Sequence, residues 1–286
     1  MKVYFESPFS PAEKNKLLKW LQVASDTITT LYGEFPVTPV ETHLYALQGA
    51  NEPVPWGEVW KKGSYRVNFQ VNPAFPIDKF IADWTAVHEF SHLFHPYPGS
   101  GNAWFGEGLA SYYQNVLRVR NQTLSESQAW GKLLAGFQRG EKQSEKNNMT
   151  LLQASQKMHS IGNYQHVYWG GAAYFLAVDI RLRKLTKGQE SLDTAWYQFK
   201  ECCLSAKQNW STESLIHKLD QLTGTSVFHQ EYVQKLKSTH FPNYRNSFQE
   251  LGIVIAGSKG GKGNSIQIID KGASASLRAE IISAND

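Results

Sequence analysis

Sulfur is scarce in these 286 residues, which hold two cysteines and three methionines. Cys202 and Cys203 are adjacent. Neighbouring residues rarely meet disulfide geometry without strain, so no structural disulfide is expected and the redox compartment stays open. Long apolar runs are missing as well. Without a stretch of roughly 18 apolar residues, no membrane span is expected. The opening "MKVYFESPFSPAEKNKLLKW" lacks the apolar centre of a secretion signal. A cytoplasmic chain and a mature exported chain whose signal has been removed both fit. Charge of one sign is weak. The net charge is +4 and no Lys/Arg stripe accompanies it, which argues against a nucleic-acid partner. The densest basic run, "DIRLRKLTKG", alternates with apolar residues and reads as a solvated helix face. Repeats of solenoid period are also lacking.

Apolar and aromatic residues are plentiful. The chain is 41% hydrophobic and carries 15 Phe, 13 Tyr and 9 Trp, the composition of a packed globular protein. Its length suits one large domain, or one domain plus a partial second.

The first helix is expected in "FSPAEKNKLLKWLQVASDTITTLYG", with Ser10 as N-cap, Pro11 in the first turn, Glu13 closing a capping box and Gly33 as the stop. "VETHLYALQ" and "SYRVNFQV" alternate like strands, with the turn-rich "GANEPVPWGEVWKKG" between them. From residue 78 the pattern becomes helical. "DKFIADWTAVHEFSHLFH" reads as one helix, ended by Pro96, Pro98 and Gly99. "FGEGLASYYQNVLRVR" and "SESQAWGKLLAGFQRG" follow, the latter with a Ser125/Gln128 capping box, and further helical segments run to about residue 250. The division expected is a β-rich part over 1–77 and a helical part over 78–250, together one α+β domain. The Gly/Ser-rich 251–286 holds three short β-like runs and reads as a strand-forming tail.

The informative stretch is "AVHEFSHLFHPYPGSGNAWFGEGLASYYQNV", residues 86–116. His88, Glu89 and His92 form H-E-x-x-H. On a helix, positions i and i+4 share one face, so both imidazoles can hold one zinc ion. Glu89, beside the first ligand, can accept a proton from a water that the metal has made acidic. A catalytic zinc takes three protein ligands and keeps one position open. Glu107 is the third-ligand candidate, because an antiparallel helix pair would carry it back over the histidines. His95 is the rival. It lies about a turn past His92, but Pro96 ends the helix there. The arrangement with a third histidine six residues after the second is excluded, because residue 98 is proline.

"HEFSH" followed by "WFGEGLASYY" resembles the gluzincin metallopeptidases, and within them the glycyl aminopeptidase family. "VYWGGAAYFLAVDIRLRKLTKGQESLD" and "LIHKLDQLTGTSVFHQEYVQK" with "FQELGI" extend the resemblance, which covers roughly residues 80–253. It implies a thermolysin-like catalytic domain, one zinc held by His88, His92 and Glu107, and peptide or protein substrates. It also implies that Tyr168 donates a hydrogen bond to the oxyanion of the tetrahedral intermediate. His166 is the runner-up for that role. The chain departs from the family in three respects. Fourteen residues separate His92 from Glu107, a shortened gap. The Gly-x-Met-Glu-Asn segment that grips a substrate's amine is missing, which leaves Glu58 as a candidate carboxylate. Residues 252–286 are too few for the complete PDZ domain that follows in the family, so the tail is expected to be a partial one.

"YRVNFQV" is expected to offer a sheet edge to an extended peptide. Gly106 and Gly108 flank Glu107 either for close backbone approach or for helix-start flexibility. Trp104, Phe94, Tyr112 and Tyr113 are expected in the core. The function expected is zinc-dependent peptide hydrolysis with Glu89 as general base. A non-catalytic peptide- or partner-binding module on the same scaffold is the alternative. A purely structural zinc is weaker, because such sites fill the fourth position with Cys or His.

Overall fold

A computed structural model describes residues 1–205, 210–257 and 265–283. The N-terminal part is a mixed sheet backed by one helix. Strand β1 (Lys2–Phe5), helix α1 (Pro11–Thr29) and strands β2 (Val40–Ala46), β3 (Trp56–Trp60) and β4 (Tyr65–Val71) come first along the chain. The sheet order is β1-β2-β4-β3, with β1 and β4 parallel to β2, and β3 antiparallel to β4. Helix α1 starts with the expected capping box of Ser10 and Glu13. It buries Leu17, Trp20, Leu21 and Ile28, the spacing of a single helical face.

Two strand expectations need correction. "WGEVW", placed in a turn, is β3; the Pro and Gly residues around it bound a short aromatic and β-branched strand. "YRVNFQV" is not an edge, because β4 pairs with β2 on one side and β3 on the other. The edge is β3.

The expected helix over 78–95 is broken into α2 (Ile77–Ala82), α3 (Thr85–Ser91) and a 3-10 turn over His92–Phe94. Asp83 adopts extended backbone, and its Oδ1 accepts the Thr85 N–H at 2.7 Å. A short Asx side chain competes with the helix for backbone donors in this way. The body continues through α4 (Ala103–Arg120), α5 (Glu126–Asn147), α6 (Leu151–Gln156), α7 (Met158–Ile161), α8 (Tyr164–Thr186), α9 (Leu192–Cys203), α10 (Thr212–Thr223), α11 (Val227–Leu236) and α12 (Tyr244–Glu250). The Ser125/Gln128 capping box on α5 is present. Trp104, Phe94, Tyr112 and Tyr113 are fully buried. In "DIRLRKLTKG", Lys184 and Lys187 are exposed as expected of a solvated face, but Arg183 is buried and paired with Asp179 and Asp193.

Helices α4 and α8 approach closely at Gly108 and Gly171. A Cβ at Gly171 would overlap the Trp104 carbonyl oxygen, and one at Gly108 would overlap the Gly171 backbone. This pair sets the height of α4, and therefore of Glu107, over α3.

After α12, β5 (Ile253–Ala256) and β6 (Ser265–Ile268) form an antiparallel pair. The third β-like run is instead α13 (Ala273–Ile282). Its Ala-rich composition favours helix, Ile281 is fully buried, and the Ile281 carbonyl accepts from Arg120 on α4. The adjacent cysteines, for which no structural disulfide is expected, form a Cys202–Cys203 disulfide. They lie at the end of α9, where the chain leaves helical geometry at Leu204 (φ −78°, ψ 108°).

Candidate metal centre and catalytic cleft

Helix α3 lies against α1, α4 and β3. It carries His88 and Glu89, while His92 opens the 3-10 turn with backbone that is still right-handed (φ −62°, ψ −20°). The helix break upstream therefore leaves the i, i+4 relation intact, and the two imidazoles sit 5.0 Å apart between ring centroids. Helix α4 returns Glu107 to them. Its Oε2 lies 3.1 Å from His88 Nε2 and 3.5 Å from His92 Nε2. One ligand atom from each of the three residues falls within 4.8 Å of the others. Tetrahedral ligands about 2.0–2.1 Å from a zinc ion are separated by roughly 3.3 Å. The spacing and the two-imidazole, one-carboxylate donor set therefore fit that metal.

The second nitrogens of the histidines are also engaged. His88 Nδ1 lies 2.7 Å from Gln114 Oε1. An amide oxygen only accepts, so Nδ1 carries a proton, and Nε2, 3.1 Å from Glu107 Oε2, is the nitrogen that would face a metal. Gln114 sits two turns after Glu107 on α4, hence on the same face. Sequence reasoning missed it, although the seven-residue spacing was a usable signal. His92 Nδ1 lies 3.4 Å from His95 Nε2. The rival ligand His95 thus stands behind His92, buried, with Lys61 Nζ donating to its carbonyl at 2.8 Å. Gly106 permits this: a Cβ there would lie 2.9 Å from His95 Cε1, which favours close approach over helix-start flexibility. Gln114→Ala is expected to weaken zinc affinity about 10- to 100-fold, measured by competition with a chromogenic chelator, with the fold retained.

Burial pushes the Glu89 carboxyl up to about 7; His88 opposes this, while Glu107 and Glu58 add to it. Burial also works to raise Glu107, but His92 and His88 outweigh it and hold its carboxyl below the usual carboxylate range. His92 is lowered by burial against the pull of Glu107. Burial drives Lys61 down to about 7 despite Glu107 and Glu89. Glu89 is crowded from the sheet side, where a Cβ at Gly57 of β3 would lie 2.5 Å from its Cγ. Glycine at that position lets the edge strand press onto the acid.

Tyr168, on α8, stacks on the His88 ring at 6.0 Å and 14°. Burial, then the Glu107 carboxylate, raises its phenol pKa, which keeps it protonated and a donor. His166 is two residues away and therefore on another face of α8, where it packs by Phe241 rather than at the cluster.

Residues 94–175 match the family model of the M61 glycyl aminopeptidases. The match contains Glu107 and Tyr168 and begins just past His92. No curated protein matches the chain. Among solved structures, an aminopeptidase N family protein from Idiomarina loihiensis is similar with a TM-score of 0.64 at 15% identity, over 88% of this chain and 47% of that one. An M1 zinc metallopeptidase from Deinococcus radiodurans gives a TM-score of 0.51 at 13% identity, over 84% of this chain and 49% of that one. The chain spans about half the length of the solved structures it matches. The fold is similar to that of these aminopeptidase and metallopeptidase structures, and residues 94–175 are similar to the glycyl aminopeptidases.

Proposed function

Proceeding from a chain related to the gluzincin-type aminopeptidases, we propose that it is a zinc-dependent peptidase. The observation that carries the reading is the cluster of His88, His92 and Glu107 with a buried Glu89 beside it. His88, His92 and Glu107 would hold the ion. A zinc ion bound there supplies a Lewis acid for the scissile carbonyl and makes water acidic near neutral pH. Glu89 accepts the proton of the attacking water and returns it to the leaving amine nitrogen. Its raised pKa suits a group that must both take and give a proton near neutrality. The Tyr168 hydroxyl donates to the oxygen on which charge develops.

The free edge of β3 is the place for an extended substrate. Among the described residues it pairs with β4 alone, and main-chain hydrogen bonds along it would lay a peptide past Glu89. Trp56 and Trp60 are exposed on this strand. Glu58, between them, is the candidate anchor for a substrate's free amine, which exopeptidase action requires. The catalytic unit in this reading is residues 1–250.

The test is metal content by mass spectrometry on the purified chain, paired with cleavage of a quenched peptide library. One zinc per chain is expected, with cleavage lost on chelation and restored by zinc. Cut positions distinguish exo- from endopeptidase action. Cleavage that survives complete metal removal would sink the mechanism. Stoichiometric zinc with no cleavage would favour the peptide-binding module.

A further inference from the structure

We propose that the cleft beside the metal cluster is an anion subsite, taking a carboxylate of the bound peptide from an acidic side chain or from its C-terminus. This rests on the peptidase reading for what the peptide is doing there. The cleft has a volume of about 590 Å³ and is walled in part by Arg118 of α4 and by Lys132 and Arg139 of α5, with no Asp or Glu in its lining. It adjoins the cluster directly. Gln114, the partner of His88, and Tyr168, stacked on His88, both line it. So does Trp84, edge-on to the same imidazole at 5.2 Å.

Arg118 carries the argument furthest. It is 2% exposed. Its Nη2 donates to the Ala82 carbonyl at 2.7 Å, and its buried Nε has no partner. Among the described residues no carboxylate forms an ion pair with it. Asp83 is the acid nearest in effect, and its Oδ1 is already taken by the Thr85 N–H. A guanidinium is rarely buried without a carboxylate, because desolvation then goes uncompensated. A planar fork with spare donors beside a cleft suits a carboxylate. Lys132 is exposed at the rim and likewise has no ion pair among the described residues. Arg139 is held in place by Gln165 Oε1 at 2.9 Å and lies over the Trp169 ring. The three cations of the cleft wall belong to α4 and α5, whereas Glu58 and Glu89 belong to β3 and α3.

The test is fluorescence anisotropy with three matched labelled peptides: a neutral Gln-containing amide, the same amide with Gln replaced by Glu, and the Gln peptide with a free C-terminal carboxylate. The whole 286-residue chain is used as the zinc-loaded Glu89→Gln variant, and again after chelation so that no metal can bind the carboxylate. At least one carboxylate peptide is expected to bind roughly 10- to 100-fold tighter than the neutral one in both metal states, with the gap narrowing as salt rises. The arm that shows the gain identifies the source as side chain or C-terminus. The gain is expected to disappear in Arg118→Gln and in Lys132→Glu; the second lies on an exposed helix position and keeps the test valid should the first fail to fold. Equal affinity for all three peptides would overturn the proposal. So would a preference that survives both substitutions, or one that vanishes on chelation. If the zinc-loaded parent chain cleaves none of these peptides while the preference persists, the peptidase reading falls and the anion subsite stands.

Discussion

Glu89→Gln is expected to bind zinc at the parent stoichiometry and to lose peptide turnover by about two to four orders of magnitude, the range over which a positioned general base accelerates proton transfer. The substitution is close to isosteric, so the crowding against Gly57 of β3 is preserved. It removes the proton acceptor and leaves the three residues of the cluster untouched. The loss should fall on kcat, because the interaction is made as the proton moves and not when the peptide docks. Steady-state kinetics on a peptide drawn from the library, with metal content measured on the same preparation, checks both halves. Parent-like turnover in a zinc-loaded variant would remove Glu89 from the mechanism. Loss of zinc together with activity would make it a structural residue of the cluster.

The second large effect concerns stability. Asp193→Ala is expected to destabilise the fold by about 3–5 kcal/mol, as removal of one partner from a buried ion pair does, and to lower the Tm by roughly 10 °C. Asp193, 1% exposed, accepts from Arg120 Nη2 at 2.7 Å and from the Tyr113 hydroxyl at 2.9 Å, and lies 3.4 Å from Arg183 Nη2. Arg183 is tied in turn to Asp179, which also accepts from the Tyr112 hydroxyl at 2.7 Å. Without Asp193, Arg120 keeps only the carbonyl of Ile281, and an interior cation is left without its counter-charge. Differential scanning calorimetry measures the outcome. An unchanged Tm would mean that the two arginines find water or other acceptors and that the network contributes little. Asp193 is far from His88 and His92 in sequence, yet it secures α4, the helix that carries Glu107, Gln114 and Arg118.

Local pattern made some of this legible and left the rest hidden. The His88–Glu89–His92 spacing stands out because helical periodicity alone brings residues i and i+4 together, and it survives even the break at Asp83 that the apolar pattern did not reveal. Ser10 and Ser125 marked helix starts because a capping box is satisfied within four residues. β1 is four residues long and finds its partner near residue 41, and no pattern within it announces that pairing. Which strand is the edge was misjudged, since an edge is a property of the finished sheet. The last β-like run is a helix because its Ala-rich stretch allows one and packing on α4 and α8 secures it.

The sequence by itself determined the His88–Glu89–His92 spacing and the class of fold, because each depends on residue type and on local spacing; the return of Glu107 to that pair is a contact between two helices. Tertiary structure alone decided that Gln114 fixes the tautomer of His88, that His95 stands behind His92, and that the edge strand runs past Glu89. It also decided that three cations from two helices line one cleft beside His88. Apart from His92 and His95, three positions apart, those relations join different elements, and the close approach of α4 to α8 at Gly108 and Gly171 and the packing of α3 against the sheet bring them together.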